Sequence, residues 1–326
     1  MLSRRTCLAM AGAIGTGLAA RKGSAQPAAA PTVRTPVAFD VPPNGCDCHV
    51  HVFPDPAKFP FWSGRVYTPP VATPDDLLAL QTALRMQRVV IVTPSVYGTD
   101  NAATLHGIAM LGLQRARGVA VIGAATSVAD LDALDKGGIR GIRVNLETGG
   151  VTDPAAATRI FNDAVARIRD RPWHMQVYAR ISVIAALKET LAAAPMPLVF
   201  DHFAGAQAAL GVDQPGFAAV LDLVRAGKAY VKISGAYRAS ERAPDYPDVA
   251  PLARALITAN PERIVWGSDW PHPDSVIVQG RKATDLAPAL PIDDGRVLNL
   301  LADWAPDAAI RHRILVDNPA RLYGFG

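Results

Sequence analysis

From residue 46 onward the chain repeats one pattern: a short apolar run, a polar break, then a longer stretch of helical periodicity. The apolar runs fall at 46–52, 88–93, 119–124, 141–145, 174–178, 198–202, 229–234 and 264–267. Helical stretches occupy 74–86, 102–113, 128–136, 154–170, 183–194, 216–225 and 249–259 between them, with a last one near 296–304. Runs this short and this continuously apolar suit parallel strands buried on both faces. Eight of them alternating with helices predict an α/β protein of one domain, a (β/α)8 TIM barrel. A doubly wound open sheet shares the alternation. It commonly carries a glycine-rich phosphate turn after its first strand, and this chain has none.

In a barrel the reacting groups gather where strands end. His49 and His51 end the first run, Ser95 follows the second, and Arg143 ends the fourth. Tyr178 ends the fifth, Asp201-His202 the sixth, Lys232 and Ser234 the seventh, and Asp269 follows the eighth. Strand alternation places Asp47, His49 and His51 on one face and Cys46, Cys48 and Val50 on the other, with the cysteines outward as small packing residues. His49, His51, His202 and Asp269 are a donor set for one divalent cation, zinc or manganese. The same four also suit metal-free chemistry, in which the histidines polarise a carbonyl and Asp269 takes a proton from water. A second metal is disfavoured, because His174 starts the fifth run and Gln176 is a poor ligand. Arg143 and Arg238 suit an anionic substrate, since guanidinium pairs bidentately with carboxylate or sulfonate. Tyr67 and Tyr178 add hydroxyl donors, and Trp270 is expected as a pocket wall.

Half of the 326 residues are hydrophobic and the formal charge is +4, with no basic run, which excludes a nucleic-acid surface. The three cysteines imply no disulfide framework. Ser3-Arg4-Arg5-Thr6-Cys7-Leu8 resembles a twin-arginine export motif, followed by an apolar stretch over 8–20 and small residues that suit cleavage after Ala25. The expectation is a signal peptide at 1–25, a Pro/Ala-rich linker at 26–43 and the barrel at 44–326, acting in the periplasm with no membrane attachment after cleavage.

The motifs also stand in a familiar order. His49-Val50-His51-Val52-Phe53, Phe59-Pro60-Phe61, Tyr67-Thr68-Pro69, Gly98-Thr99-Asp100-Asn101, Asp201-His202 and Asp269-Trp270-Pro271-His272-Pro273 are followed by a closing Val316-Asp317-Asn318-Pro319-Ala320-Arg321-Leu322-Tyr323. From Asn44 to Phe325 the chain resembles the amidohydrolase superfamily (amidohydrolase family 2), in the branch of 2-pyrone-4,6-dicarboxylate lactonase and 4-sulfomuconolactone hydrolase. The resemblance implies a lactone (carboxylic-ester) hydrolase that opens a small anionic lactone, such as a muconolactone or pyrone carboxylate, in aromatic-compound catabolism. It carries the lactonase histidines onto His49, His51 and His202, and the water-activating aspartate onto Asp269. Substrate contacts fall on Tyr67, Tyr178, Ser95, Arg143 and Arg238. One departure stands out: pyrone-dicarboxylate lactonases have a second arginine where this chain has Gly149. Alternatives within the superfamily are a metal-dependent decarboxylase or hydratase and a sugar-acid lactone isomerase. Outside it, a periplasmic binding protein for anionic lactones predicts a hinged two-domain architecture.

Overall fold

A computed structural model describes residues 33–276 and 279–326. The expected signal peptide lies outside the described residues. Eight parallel strands follow one another around a single sheet: β1 (Cys46–Val50), β2 (Arg88–Val92), β3 (Ala116–Ala120), β4 (Ile139–Asn145), β5 (His174–Tyr178), β6 (Leu198–Phe200), β7 (Ala229–Ser234) and β8 (Ile264–Gly267). Beyond the end of β8 the sheet meets β1: Asp269 donates its backbone N–H to the His49 carbonyl at 2.9 Å, and His51 donates to the Trp270 carbonyl at 2.8 Å. The result is a (β/α)8 barrel. Among the described residues no second, hinged domain accompanies it, so the architecture of a binding protein has no support. Among the described residues no helix is long and apolar enough to cross a membrane.

Several boundaries shift from their sequence positions for physical reasons. β3 begins at Ala116, earlier than expected, because Arg117 masks it. That arginine points to the lower end of the barrel, where its guanidinium lies 4.7 Å from the Phe325 ring and that of Arg88 lies 5.1 Å away. The sixth strand stops at Phe200, because His202, Phe203 and Ala204 take left-handed φ of 47°, 55° and 57°. The helix expected over 183–194 forms as two, Ile181–Ala186 and Lys188–Ala193.

The simple alternation expected of β1 is broken. Cys46, Asp47 and Val50 pair with Arg88, Val89 and Ile91, so β1 spends one residue more than β2 between Asp47 and Val50. This bulge leaves Asp47 and Val50 facing the helices, while His49 turns inward. The face shared by Asp47, His49 and His51 therefore does not exist. Nor are the cysteines outward: Cys46 and Cys48 pack with Val90, Val92, Val119, Val199 and Val265 inside the barrel, above Tyr323 and Phe325. Asp47 holds the bulge instead, its Oδ1 accepting the backbone N–H groups of His49 at 3.2 Å and Ser268 at 2.9 Å.

Residues 33–38, within the stretch expected as a linker, lie against the barrel's last long helix, Asp294–Trp304. Thr35 Oγ1 donates to Asp293 Oδ2 at 2.6 Å, and Ala38 N–H donates to Asn299 Oδ1 at 2.7 Å. The approach is close enough that a Cβ on Gly295 would lie 1.8 Å from the Thr35 carbonyl oxygen.

Candidate active site

At the carboxyl end of the barrel, three imidazoles converge on one carboxylate oxygen. Nε2 of His49, His51 and His202 lie 3.7, 3.8 and 3.9 Å from Asp269 Oδ1. The bulge brings in His49, the end of β1 brings in His51, and two left-handed backbones aim His202 (φ 47°) and Asp269 (φ 68°). Non-glycine residues pay about 1–2 kcal/mol for that conformation, and strain of this kind concentrates at functional sites.

Asp269 is fixed from one side. Its Oδ2 accepts hydrogen bonds from Tyr237 Oη at 2.6 Å and Arg238 Nε at 2.5 Å. Its Oδ1, fully buried, has no hydrogen-bond partner, and neither has His49 Nε2. Burial pushes the Asp269 carboxyl up, yet Arg238 and the surrounding imidazoles outweigh it and hold the group well below its ordinary range. Burial lowers His51 and His202 to about 4 despite the pull of Asp269, and it holds His49 well below the ordinary imidazole range with Lys232 adding to the effect. All three rings are neutral near pH 7. His51 Nδ1 lies 2.7 Å from the Val92 carbonyl, which can only accept, so Nδ1 carries the proton and Nε2 presents a lone pair. His202 Nδ1 meets Ser234 Oγ at 3.0 Å.

Beneath His49 lies a buried polar network that sequence reasoning left out of the site. His49 Nδ1 is 3.2 Å from Asp201 Oδ1 and 3.2 Å from Lys232 Nζ. Lys232 donates to Gln176 Oε1 at 2.8 Å, and Gln176 Nε2 and Arg143 Nε donate to Asp201 Oδ2 at 3.0 and 2.9 Å. Burial raises the Asp201 carboxyl, but Arg143, His49 and Lys232 prevail and keep it ionised. Lys232 and Asp201 were visible as polar residues at strand ends; Gln176 read only as a poor metal ligand. Tyr237 was also missed, although it adjoins Arg238.

A small polar pocket of about 20 Å³ opens above the cluster, lined by His51, Tyr67, Ser95, Arg143, Tyr178, His202, Arg238 and Asp269. Eight of the nine residues singled out from the sequence line it, and the ninth, His49, sits against Asp269. The Arg143 guanidinium lies 4.8 Å from the Tyr178 ring, and burial pushes the Tyr67 hydroxyl up to about 12, opposed by Arg238 and a hydrogen bond with Ser95. One expectation needs correction. Trp270 is not a pocket wall; it is buried in the apolar layer between barrel and helices, where it bridges to Val50. His174 is indeed apart from the cluster, at the start of β5 with its ring 5.2 Å from Tyr323.

The cluster fits a metal ion. His49, His51 and Asp269 form one compatible triad and His49, Asp201 and His202 another, each with ligand atoms within 4.8 Å of one another. Zinc bonds of about 2.0–2.1 Å in a tetrahedron set ligand atoms about 3.3 Å apart, close to the 3.7, 3.8 and 3.9 Å that separate the three Nε2 atoms from Asp269 Oδ1. The orphaned His49 Nε2 and Asp269 Oδ1, together with the bare Nε2 of His51, are the atoms such an ion would satisfy.

Comparison with known proteins agrees with this geometry, for the amidohydrolase family model matches residues 46–325. The chain belongs to the amidohydrolase family. It is 35% identical to the 4-sulfomuconolactone hydrolase of Rhizobium radiobacter, over 94% of this chain and 99% of that protein. To the D-galactarolactone isomerase of Agrobacterium fabrum it is 31% identical, over 86% of this chain and 91% of that protein. The crystal structure of a probable 2-pyrone-4,6-dicarboxylic acid hydrolase from Acinetobacter baumannii, with citric acid bound, superimposes with a TM-score of 0.71 at 25% identity, covering 86% of this amidohydrolase and 100% of that chain. This amidohydrolase thus stands in the lactone branch of its family.

Proposed function

We propose that this amidohydrolase opens a small anionic lactone by hydrolysis, with 4-sulfomuconolactone or a related muconolactone as the leading substrate. The observation that carries the reading is the convergence of three neutral imidazoles on the free oxygen of Asp269, directly beneath a pocket flanked by two arginines. Arg143 and Arg238 each commit Nε to a buried carboxylate, which fixes their position while they line the pocket and pair with the substrate's anionic groups. Tyr67, Tyr178 and Ser95 orient the ring. Asp269 Oδ1 accepts the proton of the attacking water; the carbonyl carbon gains the hydroxyl, its bond to the ring oxygen breaks as that oxygen takes the proton back from Asp269 and leaves as a hydroxyl, and the new carboxyl group ionises to a carboxylate. Where that oxygen's carbon also bears a sulfonate, opening expels sulfite.

His49, His51, His202 and Asp269 would hold one zinc. Bound there, it supplies Lewis acidity at the carbonyl and lowers the pKa of water. Gly149, where pyrone-dicarboxylate lactonases have an arginine, weighs against the pyrone dicarboxylate. Periplasmic export through residues 1–25 belongs to the same proposal and rests on the sequence motif.

The test is ring opening of 4-sulfomuconolactone, followed by carboxylate and sulfite release, in the native protein and in Asp269→Asn. Opening by the native protein is expected, with turnover by the variant reduced at least 1,000-fold, on the order seen for lost catalytic groups, and substrate binding retained. Near-normal turnover by the variant overturns the role of Asp269. Conversion of a sugar-acid lactone to an isomeric lactone, without net hydrolysis, would favour the isomerase reading that the Agrobacterium fabrum relative supports.

A further inference from the structure

The polar pocket, at about 20 Å³, has room for roughly one water molecule. Next to it lies a second cavity of about 680 Å³, within the range of small-molecule sites. Ser95 and Thr148 line both, so the two are contiguous. The walls differ in kind: the larger space is faced by Phe61, Trp62, Val66, Tyr97 and Val121.

Trp62 is 53% exposed, yet its position is defined. Its N–H donates to the Val96 carbonyl at 2.8 Å, and its own carbonyl accepts from Arg65 Nη1 at 3.0 Å. The indole lies over two glycines. A Cβ on Gly64 would fall 2.4 Å from Trp62 Cζ2, and one on Gly98 (φ 58°) would fall 3.1 Å from Cδ2. A large aromatic surface is thus held as one wall of a cavity that adjoins the reacting groups. Across the cavity, Gly149 contributes no side chain, although a Cβ there would meet nothing closer than 3.7 Å.

We propose that this cavity is a substrate subsite for an apolar arm, aryl or short alkyl, carried by the lactone ring. The proposal rests on the lactone-hydrolase reading and adds a substrate class to it: only the reacting ester group of the lactone enters the polar pocket, while the rest of the ring and its arm pass Ser95 and Thr148 into the larger cavity and onto the indole of Trp62. The enzyme's substrates then extend from muconolactones to lactones that carry such an arm.

The experiment measures kcat/KM for γ-lactone carboxylates bearing hydrogen, methyl, propyl or phenyl on the ring, in the native protein and in Gly149→Leu. Each buried methylene is expected to raise kcat/KM about four-fold, with phenyl the best. Gly149→Leu projects a side chain into the cavity beside Thr148, where the arm must pass, and collapses the ratio of phenyl to unsubstituted substrate. A native profile indifferent to the arm, or a ratio that survives Gly149→Leu, overturns the subsite. If no lactone is opened at all, the hydrolase reading fails and the cavity is judged separately, by calorimetric binding of the phenyl-substituted lactone carboxylate to native and Trp62→Ala proteins. Binding at least ten-fold weaker in the variant supports the subsite, and equal or absent binding refutes it.

Discussion

His49 is where two buried charges contend for one nitrogen. Asp201 Oδ1 only accepts and Lys232 Nζ only donates, and both stand 3.2 Å from Nδ1. A proton on Nδ1 shared with Asp201 leaves Nε2 bare toward Asp269, in the manner of carboxylate–histidine–metal arrangements. Lys232 can only donate to Nδ1 and so opposes that tautomer directly, while its charge helps to keep Asp201 ionised. For Lys232→Met we expect kcat to fall about 10- to 100-fold, KM to change little, and the affinity for zinc to drop in step with kcat. Steady-state kinetics and zinc titration of the variant check this; an intact kcat would reduce Lys232 to packing. Most of the site was legible because its residues are polar groups set at the ends of apolar runs. Gln176 was harder to assign, since it lies inside its strand and only closure of the barrel brings it, beside Lys232, under His49.

At the scale of the element, β1 depends on β8. The bulge that turns His49 inward packs against Gly267, where a Cβ would lie 2.7 Å from His49 Cβ and 2.8 Å from its backbone nitrogen. Gly267→Ala has no flexible neighbour to push aside, so His49 must move. Displacement of about 1 Å at a reacting group costs on the order of 100-fold in rate, and this loss is expected in kcat/KM while circular dichroism still reports a folded barrel. Normal activity in the variant would show that the bulge is not needed. Here the sequence reading went wrong for an identifiable reason. Alternation assigns faces by counting, and one extra residue between Asp47 and Val50 reverses the count for everything before it. The number and order of strands survived, because they rest on eight separate runs and not on any one register.

For the whole molecule, the buried titrating groups make stability depend on pH in opposing senses. His51 and His202 take a proton near pH 4 when folded, against 6.5 as ordinary imidazoles, because burial disfavours the charge. Their contribution is complete above 6.5 and is lost as pH falls through about 4. Asp47 runs the other way: burial raises its carboxyl from 3.8 to about 7, so its contribution is complete below 3.8 and lost as pH rises through 7. Each group changes stability by about 1.4 kcal/mol per pH unit within its window. Two histidines outweigh one aspartate, so the thermal midpoint should be lower at pH 5 than at pH 7. Asp47→Asn removes the opposing group and should steepen that fall, as thermal unfolding of both proteins at the two pH values will show; a midpoint that rises on acidification contradicts the assignment.

The inward placement of Cys46 and Cys48 has a practical bearing. Both thiols are free and fully buried, enclosed by valines above and by Tyr323 and Phe325 below. Motions of the surface loops leave them untouched, and an alkylating reagent reaches them only when the strands themselves part. The rate at which these two sulfurs become labelled is therefore a clock for rare openings of the barrel's interior, carried by the unmodified protein and silent to fluctuations at its mouth.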